Sequence, residues 1–239
     1  AAVVALISLG QGLQASIEKL FEQLGSDKII IQSKGGFGAP GSVTNKELIF
    51  DERDLELVRR VEGVEEAEGA ISRSGIVKNG KEQEVVLVSG LSEKYLKIFG
   101  KIDAIEIIEG RQLEDSDKGK VVVGYNHIFG NLWDKKLKLR SSIEIGGEEF
   151  KVIGVVKKQG NPVDDNSIWM EKETFRRLFE TGEDEGIIVA KTKAGFNPEE
   201  VADSIKEDLR KERNEKVGEE SFTVQTFLQL LETFSEIFG

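Results

Sequence analysis

Helical patterns are clearest at the two ends of the 239-residue chain. Apolar residues near the N-terminus recur at spacings of three and four, which is typical of one helical face: Leu6, Leu9, Leu13, Ile17, Leu20, Phe21 and Leu24. The same spacing returns near the C-terminus in Phe227, Leu228, Leu231, Phe234, Ile237 and Phe238. Gly25 is a helix-ending signal. The pattern therefore predicts an amphipathic helix in each terminal segment, 1–25 and 226–239.

Between the ends, two stretches predict strands joined by short helices. In the first, a strand at 28–33 is followed by a helix that Asp51 caps and Gly63 ends, and then by strands at 69–78 and 81–89 around the turn Asn79-Gly80. Ser92 opens a further helical turn. The second stretch has a strand at 186–192, a helix opened by Asn197-Pro198, and a strand at 222–224.

Residues 101–185 separate these two stretches and have a different pattern. It predicts a buried strand at 121–123, a short helix at 127–133, a hairpin at 142–157 that turns at Gly146-Gly147, a strand at 168–170 and a helix at 172–179. The economical description is an inserted, mostly β subdomain. The predicted fold class is α+β: an α/β sandwich built from the discontinuous segments 26–100 and 186–225, with 101–185 inserted between them.

Composition removes several kinds of chemistry. The 33 basic and 44 acidic residues give a net charge of -11, which disfavours a nucleic-acid partner. Cysteine is absent and His127 is the one histidine. This composition argues against thiol chemistry, disulfides, zinc fingers and histidine-based triads. The glycine-rich segment 35–42 lacks the lysine of a P-loop and is interpreted as a surface loop. The abundance of Lys and Glu resembles proteins of hot habitats.

The remaining chemical candidates have ordinary interpretations. The acidic groups at 114–117 and 164–165 do not match a calcium loop, and we expect both to be solvated loops. We expect His127 to be structural and Trp133 and Trp169 to pack in a core, with an exposed partner contact as the alternative for the tryptophans. No carboxylate pair stands out as a glycosidase site. The sequence thus predicts no catalytic, cofactor-binding or metal-binding residue.

The terminal helices have two interpretations. Amphipathic helices usually pack on a core. Both ends, however, become more apolar toward the terminus, as if each had been cut where a membrane span begins. The unbroken apolar run at the start is seven residues, against about 20 for a span, so no transmembrane helix is expected within the chain. A stalk between a membrane and a globular head would bring the two helices out side by side.

Several short stretches resemble one family of membrane proteins when taken in order. The first stretch comprises Leu6 to Leu13 and then Leu24 to Asp27, just before Ile29. The second is Glu109-Gly110-Arg111, which precedes an acidic loop. The others are Val121 to Gly124, Phe150 to Val155, and Phe222 to Val224, the last of which precedes the final helix. Their order and spacing resemble the extracytoplasmic (periplasmic core) domain of MacB/FtsX-like ABC transporter permeases. The resemblance covers nearly the whole chain.

That resemblance implies a domain between the first two of four transmembrane helices, with a porter-like subdomain (26–100 and 186–225) and an inserted subdomain. Its partners would be its own transmembrane helices, a nucleotide-binding ATPase domain or subunit that holds ATP and Mg²⁺, and a second copy in a homodimer. An adaptor or secreted substrate protein is a further candidate partner. Stalk and subunit contacts would fall on Leu6, Leu9, Leu13, Ile17, Phe227, Leu231, Phe234 and Phe238.

The function implied is mechanotransmission, in which cytoplasmic ATP hydrolysis moves the extracytoplasmic domain and drives export of a substrate. No cofactor is expected in the domain itself. The alternative is a free-standing or surface-anchored extracellular module that binds a ligand or protein and has no transport role.

Overall fold

The computed structural model describes residues 27–34, 50–99 and 105–229, and these form an α+β fold, which confirms the predicted class. The described strands are β1 (Lys28–Ser33), β2 (Val64–Asn79), β3 (Glu82–Leu91), β4 (Ile107–Gly110), β5 (Lys120–Val123), β6 (Ser142–Ile145), β7 (Glu148–Val156), β8 (Ile168–Glu171), β9 (Ile187–Thr192) and β10 (Phe222–Thr226). The described helices are α1 (Glu52–Arg60), α2 (Glu93–Phe99), α3 (Pro162–Asp165), α4 (Lys172–Phe179) and α5 (Pro198–Glu212).

Two compact units divide the described residues. The first comprises 27–34, 50–69, 98–99 and 185–229, and the second comprises 70–97 and 105–184. Their sheets have the strand orders β10-β1-β9-β2 and β2-β3-β8-β5-β7-β4, respectively. In the second unit, β6 also pairs with β2 and β7.

In the first unit, α1 and α5 bury their apolar faces on the core that the sheet provides. Asp51 and Asp54 form a capping box that begins α1. Asn197 caps α5 and Pro198 occupies its first turn. Residues four apart on α5, Val201, Ile205 and Leu209, share one core with Ile29 and Ile31 of β1.

In the second unit, a separate core lies against its own sheet. Parallel pairs β3/β8 and β5/β7 alternate with antiparallel pairs, and the core includes Val88, Val121 and Met170. Helix α4 packs Phe175 so close to β3 that a Cβ at Gly90 would lie 2.7 Å from the Phe175 Cβ. Glycine at this position therefore permits the helix to approach the strand.

The predicted elements were largely confirmed, but with differences of detail. Strand β2 begins at Val64 rather than Gly69, and β4 and α3 were not predicted. The helix predicted at 127–133 is wrong: the chain there makes one 3₁₀ turn, Tyr125–His127, followed by bends. The β2–β3 hairpin was assigned to segment 26–100, but residues 70–97 group with the second unit because β3 pairs with β8 and β2 with β6.

Candidate functional site: the adjoining ends of the first and last strands

The first and last strands of the described chain lie side by side. They are antiparallel, and Ile29 at the start of β1 is opposite Thr226 at the end of β10. Paired strands are about 4.8 Å apart. The described part of the chain therefore enters this sheet and leaves it at the same end, on neighbouring strands.

A helix begins directly after β10. The Thr226 backbone N–H donates to the Gln229 Oε1 at 3.0 Å, and the Gln229 N–H donates to the Thr226 Oγ1 at 3.2 Å. This reciprocal pair is a capping box, and residues 227–229 are helical. The chain thus changes from strand to helix at a fixed residue, Thr226.

Strand β1 is held on both sides within the first unit. It pairs with β10 on one side and β9 on the other, and Ile29 and Ile31 are fully buried. Just before it, the Asp27 carbonyl accepts from the Thr192 N–H at 2.9 Å. Strand β1 is therefore joined by backbone hydrogen bonds to both neighbouring strands and by packing to the core beneath α1 and α5.

Most of the predicted stalk residues lie outside the described part of the chain. These are Leu6, Leu9, Leu13, Ile17, Leu231, Phe234 and Phe238. Phe227 is described and is 7% exposed, in the first turn of the helix that follows β10. The side-by-side course of the terminal helices stays a prediction, as do the stalk contacts.

The acidic loop at 114–117 is not a solvated loop throughout, so that expectation is wrong for Asp117. Its side chain is fully buried and accepts from the Arg111 guanidinium at 2.5 and 2.6 Å and from the Lys120 ammonium at 2.7 Å. The Arg111 hydrogen bonds hold the pKa of the Asp117 carboxyl well below its usual range. Asp117 therefore ties the start of β5 to the segment after β4.

Neighbouring acidic residues also have structural roles. The Asp115 carboxylate accepts from the Glu93 N–H at 2.7 Å, at the start of α2. Asp165 is buried, and its carboxylate accepts from the backbone N–H groups of Gln159 and Gly160 at 2.7 and 3.1 Å. The expectation of a solvated loop is therefore wrong for Asp165 as well. A sequence gives no direct signal for this burial, because it does not show which N–H groups will lie nearby.

His127 is structural, as predicted. The Trp133 Nε1–H donates to its Nδ1 at 3.2 Å, so its Nε2 carries the proton and donates to the Asn166 carbonyl at 2.8 Å. Burial lowers the pKa of His127 to about 4. Both tryptophans are buried, which confirms core packing as the first expectation for them.

The first unit has a surface groove that is lined mostly by charged side chains. A surface groove of about 510 Å³ lies between α1 and α5 and is lined by Glu52, Arg53, Glu56, Leu57, Arg60, Val61, Asp208 and Glu212. Glu56 in this groove is engaged by Arg59 at 2.7 Å. Within the ranges that the structure describes, no three or more His, Asp or Glu side chains are grouped so as to hold a metal ion.

Comparison with known proteins decides the family. The family model of the MacB-like periplasmic core domain matches residues 1–208. The chain belongs to this family. Members of the family are periplasmic core domains, and the relatives of this chain include ABC transporter permeases. Among the helices of the described residues, none combines the length and apolarity needed to cross a bilayer.

Two curated relatives and one solved structure define the similarity. An uncharacterised ABC transporter permease of Methanocaldococcus jannaschii is 34% identical over all 239 residues, which span 57% of that protein. The macrolide export ATP-binding/permease protein MacB of Campylobacter jejuni is 28% identical over 70% of the chain and 26% of its own length. The periplasmic region of MacB from Actinobacillus actinomycetemcomitans shares the fold, with a TM-score of 0.66, 20% identity, and coverage of 92% of this chain and 97% of that one.

Proposed function

We propose that the chain is the extracytoplasmic domain of an ABC transporter permease and that it couples cytoplasmic ATP hydrolysis to export by mechanotransmission. The observation that carries this proposal is the register of β1 and β10. Because Ile29 lies opposite Thr226, both connections out of the described chain start at one end of one sheet. Two membrane helices that approach together can then move the first unit through adjoining strands.

The rest of the transporter supplies the chemistry in this proposal. ATP and Mg²⁺ bind a nucleotide-binding domain or subunit, and the permease acts as a homodimer. An adaptor or a secreted substrate protein could be a further partner on the outside. The 239 residues bind no cofactor and serve as the moving part.

The extracytoplasmic location is tested by labelling the parent permease in intact cells. This segment has no cysteine, so Lys118→Cys adds one exposed thiol to it, and Val123→Cys adds a matched buried one. We expect a membrane-impermeant maleimide to label Lys118→Cys in intact cells and Val123→Cys only after denaturation. Labelling of Lys118→Cys only after lysis would place the domain in the cytoplasm and end the proposal.

A further inference from the structure

A cluster of basic residues stands out on this acidic chain. Within residues 131–140, Lys135, Lys136, Lys138 and Arg140 are all exposed, and Asp134 is the only acidic residue. We call these four the basic strip. In the described part of the chain, none of the four makes an ion pair. Surface lysines and arginines elsewhere in the second unit, such as Lys78 and Arg177, do have carboxylate partners.

The backbone that carries the basic strip is held in place. Trp133 and Leu137 are each 3% exposed and belong to the core of the second unit. The N–H groups of Asp134 and Lys135 donate to the two Glu82 carboxylate oxygens at 2.7 and 3.1 Å. These bonds anchor the start of the basic strip to the β2–β3 hairpin and engage both oxygens of the Glu82 carboxylate.

Two further contacts fix the end of the loop. The Lys138 N–H donates to the Ser141 Oγ at 3.1 Å, and the Arg140 N–H donates to the Val152 carbonyl at 2.8 Å. Arg140 has a φ of 72°, a left-handed conformation that non-glycine residues seldom adopt. Because the backbone is fixed before a partner arrives, binding costs less conformational entropy.

We infer that the basic strip is a docking surface for an acidic polypeptide segment of a partner protein. Four exposed cations without ion-pair partners complement a run of Glu or Asp side chains. A bilayer of anionic lipid is a poorer match, because it is broad and would repel a domain whose net charge is -11. A narrow acidic segment meets the strip alone, since charges beyond about 8 Å are screened at physiological salt. This surface is independent of the proposed coupling role.

The experiment is a titration of the 239-residue chain into a fluorescein-labelled deca-glutamate peptide, followed by fluorescence anisotropy. We expect binding that weakens as salt rises, because the attraction is between exposed charges. The triple variant Lys135→Gln/Lys136→Gln/Lys138→Gln should bind roughly tenfold more weakly, since each exposed pair contributes modestly. The control, Lys118→Gln/Lys193→Gln/Lys206→Gln, removes the same charge from other exposed sites and should bind as the unmodified chain does.

Three results would overturn the inference. They are no binding of deca-glutamate by the unmodified chain, equal weakening in the two triple variants, and binding to vesicles of 30% phosphatidylglycerol in phosphatidylcholine with none to the peptide. If ATP hydrolysis proved not to be coupled to export in the parent permease, while the chain still bound the peptide, the proposed function would be wrong. The inferred docking surface would not be affected.

Discussion

At the scale of single residues, two buried polar groups organise the second unit. Asp117 brings together Arg111 and Lys120, and His127 joins Trp133 to Asn166. A fully buried carboxylate is stable only with such partners, since an unpaired buried charge is costly. The role of Asp117 could not be predicted from sequence, because Arg111 and Lys120 are ordinary surface cations until the fold places them.

His127 predicts a pH dependence of stability. Burial lowers its pKa to about 4 in the folded chain from 6.5 in the unfolded chain. As pH falls through this window the unfolded state binds a proton first, so the free energy of unfolding falls between pH 6.5 and 4 and is highest above that window. The expected loss is about 3 kcal/mol.

Urea unfolding at pH 7 and pH 4 measures this loss, with His127→Gln as the control for carboxylates that titrate in the same range. The difference in unfolding free energy between the unmodified chain and the variant should shrink by about 3 kcal/mol from pH 7 to pH 4. An unchanged difference would show that His127 is not held neutral by burial.

At the scale of elements, two glycines in turns both have a left-handed backbone, but they differ in how much space surrounds them. Gly63, between α1 and β2, has a φ of +89°, and a Cβ there would lie 2.6 Å from the side chains of Phe196 and Val201. Gly80, in the β2–β3 turn, has a φ of +66° with nothing within 4 Å of the added Cβ. Both positions favour glycine, but only Gly63 is also crowded.

The substitutions Gly63→Ala and Gly80→Ala therefore form a matched pair. Gly80→Ala should lower the free energy of unfolding by about 1 kcal/mol, the cost of a left-handed residue. Gly63→Ala should lower it by about 2–4 kcal/mol, because overpacking adds to that cost. Urea denaturation at pH 7 measures both free energies of unfolding. Equal losses in the two variants would mean that the side chains around Gly63 move aside at no cost.

Local signals predicted the elements that depend on neighbouring residues. Asp51, Asn197-Pro198 and Asn79-Gly80 mark helix starts and a hairpin whose determinants lie within a few residues, and the structure confirms all three. Strand β4 was not predicted because its residues are half-buried or exposed and its pairing with β7 spans a long stretch of chain. The start of β2 was also missed, because the polar pair Glu65-Glu66 does not show the apolar pattern that predicts a strand.

At the scale of the whole molecule, sequence and structure contribute different parts of the candidate site. The sequence indicates apolar terminal segments and their family, and the structure adds that β1 and β10 are paired. That pairing brings together residues almost 200 positions apart in the chain, so no local pattern could predict it. The division between units had the same difficulty, because the β2–β3 hairpin joins the second unit through long-range strand pairing.

In the proposed mechanism, movement reaches the domain through the ends of β1 and β10. The most direct test uses the parent permease, spin-labelled at Lys118→Cys and reconstituted in nanodiscs, with the distance between labels on two copies measured by pulsed EPR with ATP and with ADP. A Gly-Ser-Gly-Ser insertion between Asp27 and Lys28, or between Thr226 and Phe227, should abolish the ATP-dependent change in distance and leave ATP hydrolysis intact. The same insertion after Gly147, in the β6–β7 turn, should preserve that change. An unaltered distance change with both junctions lengthened would contradict mechanical coupling through these strands.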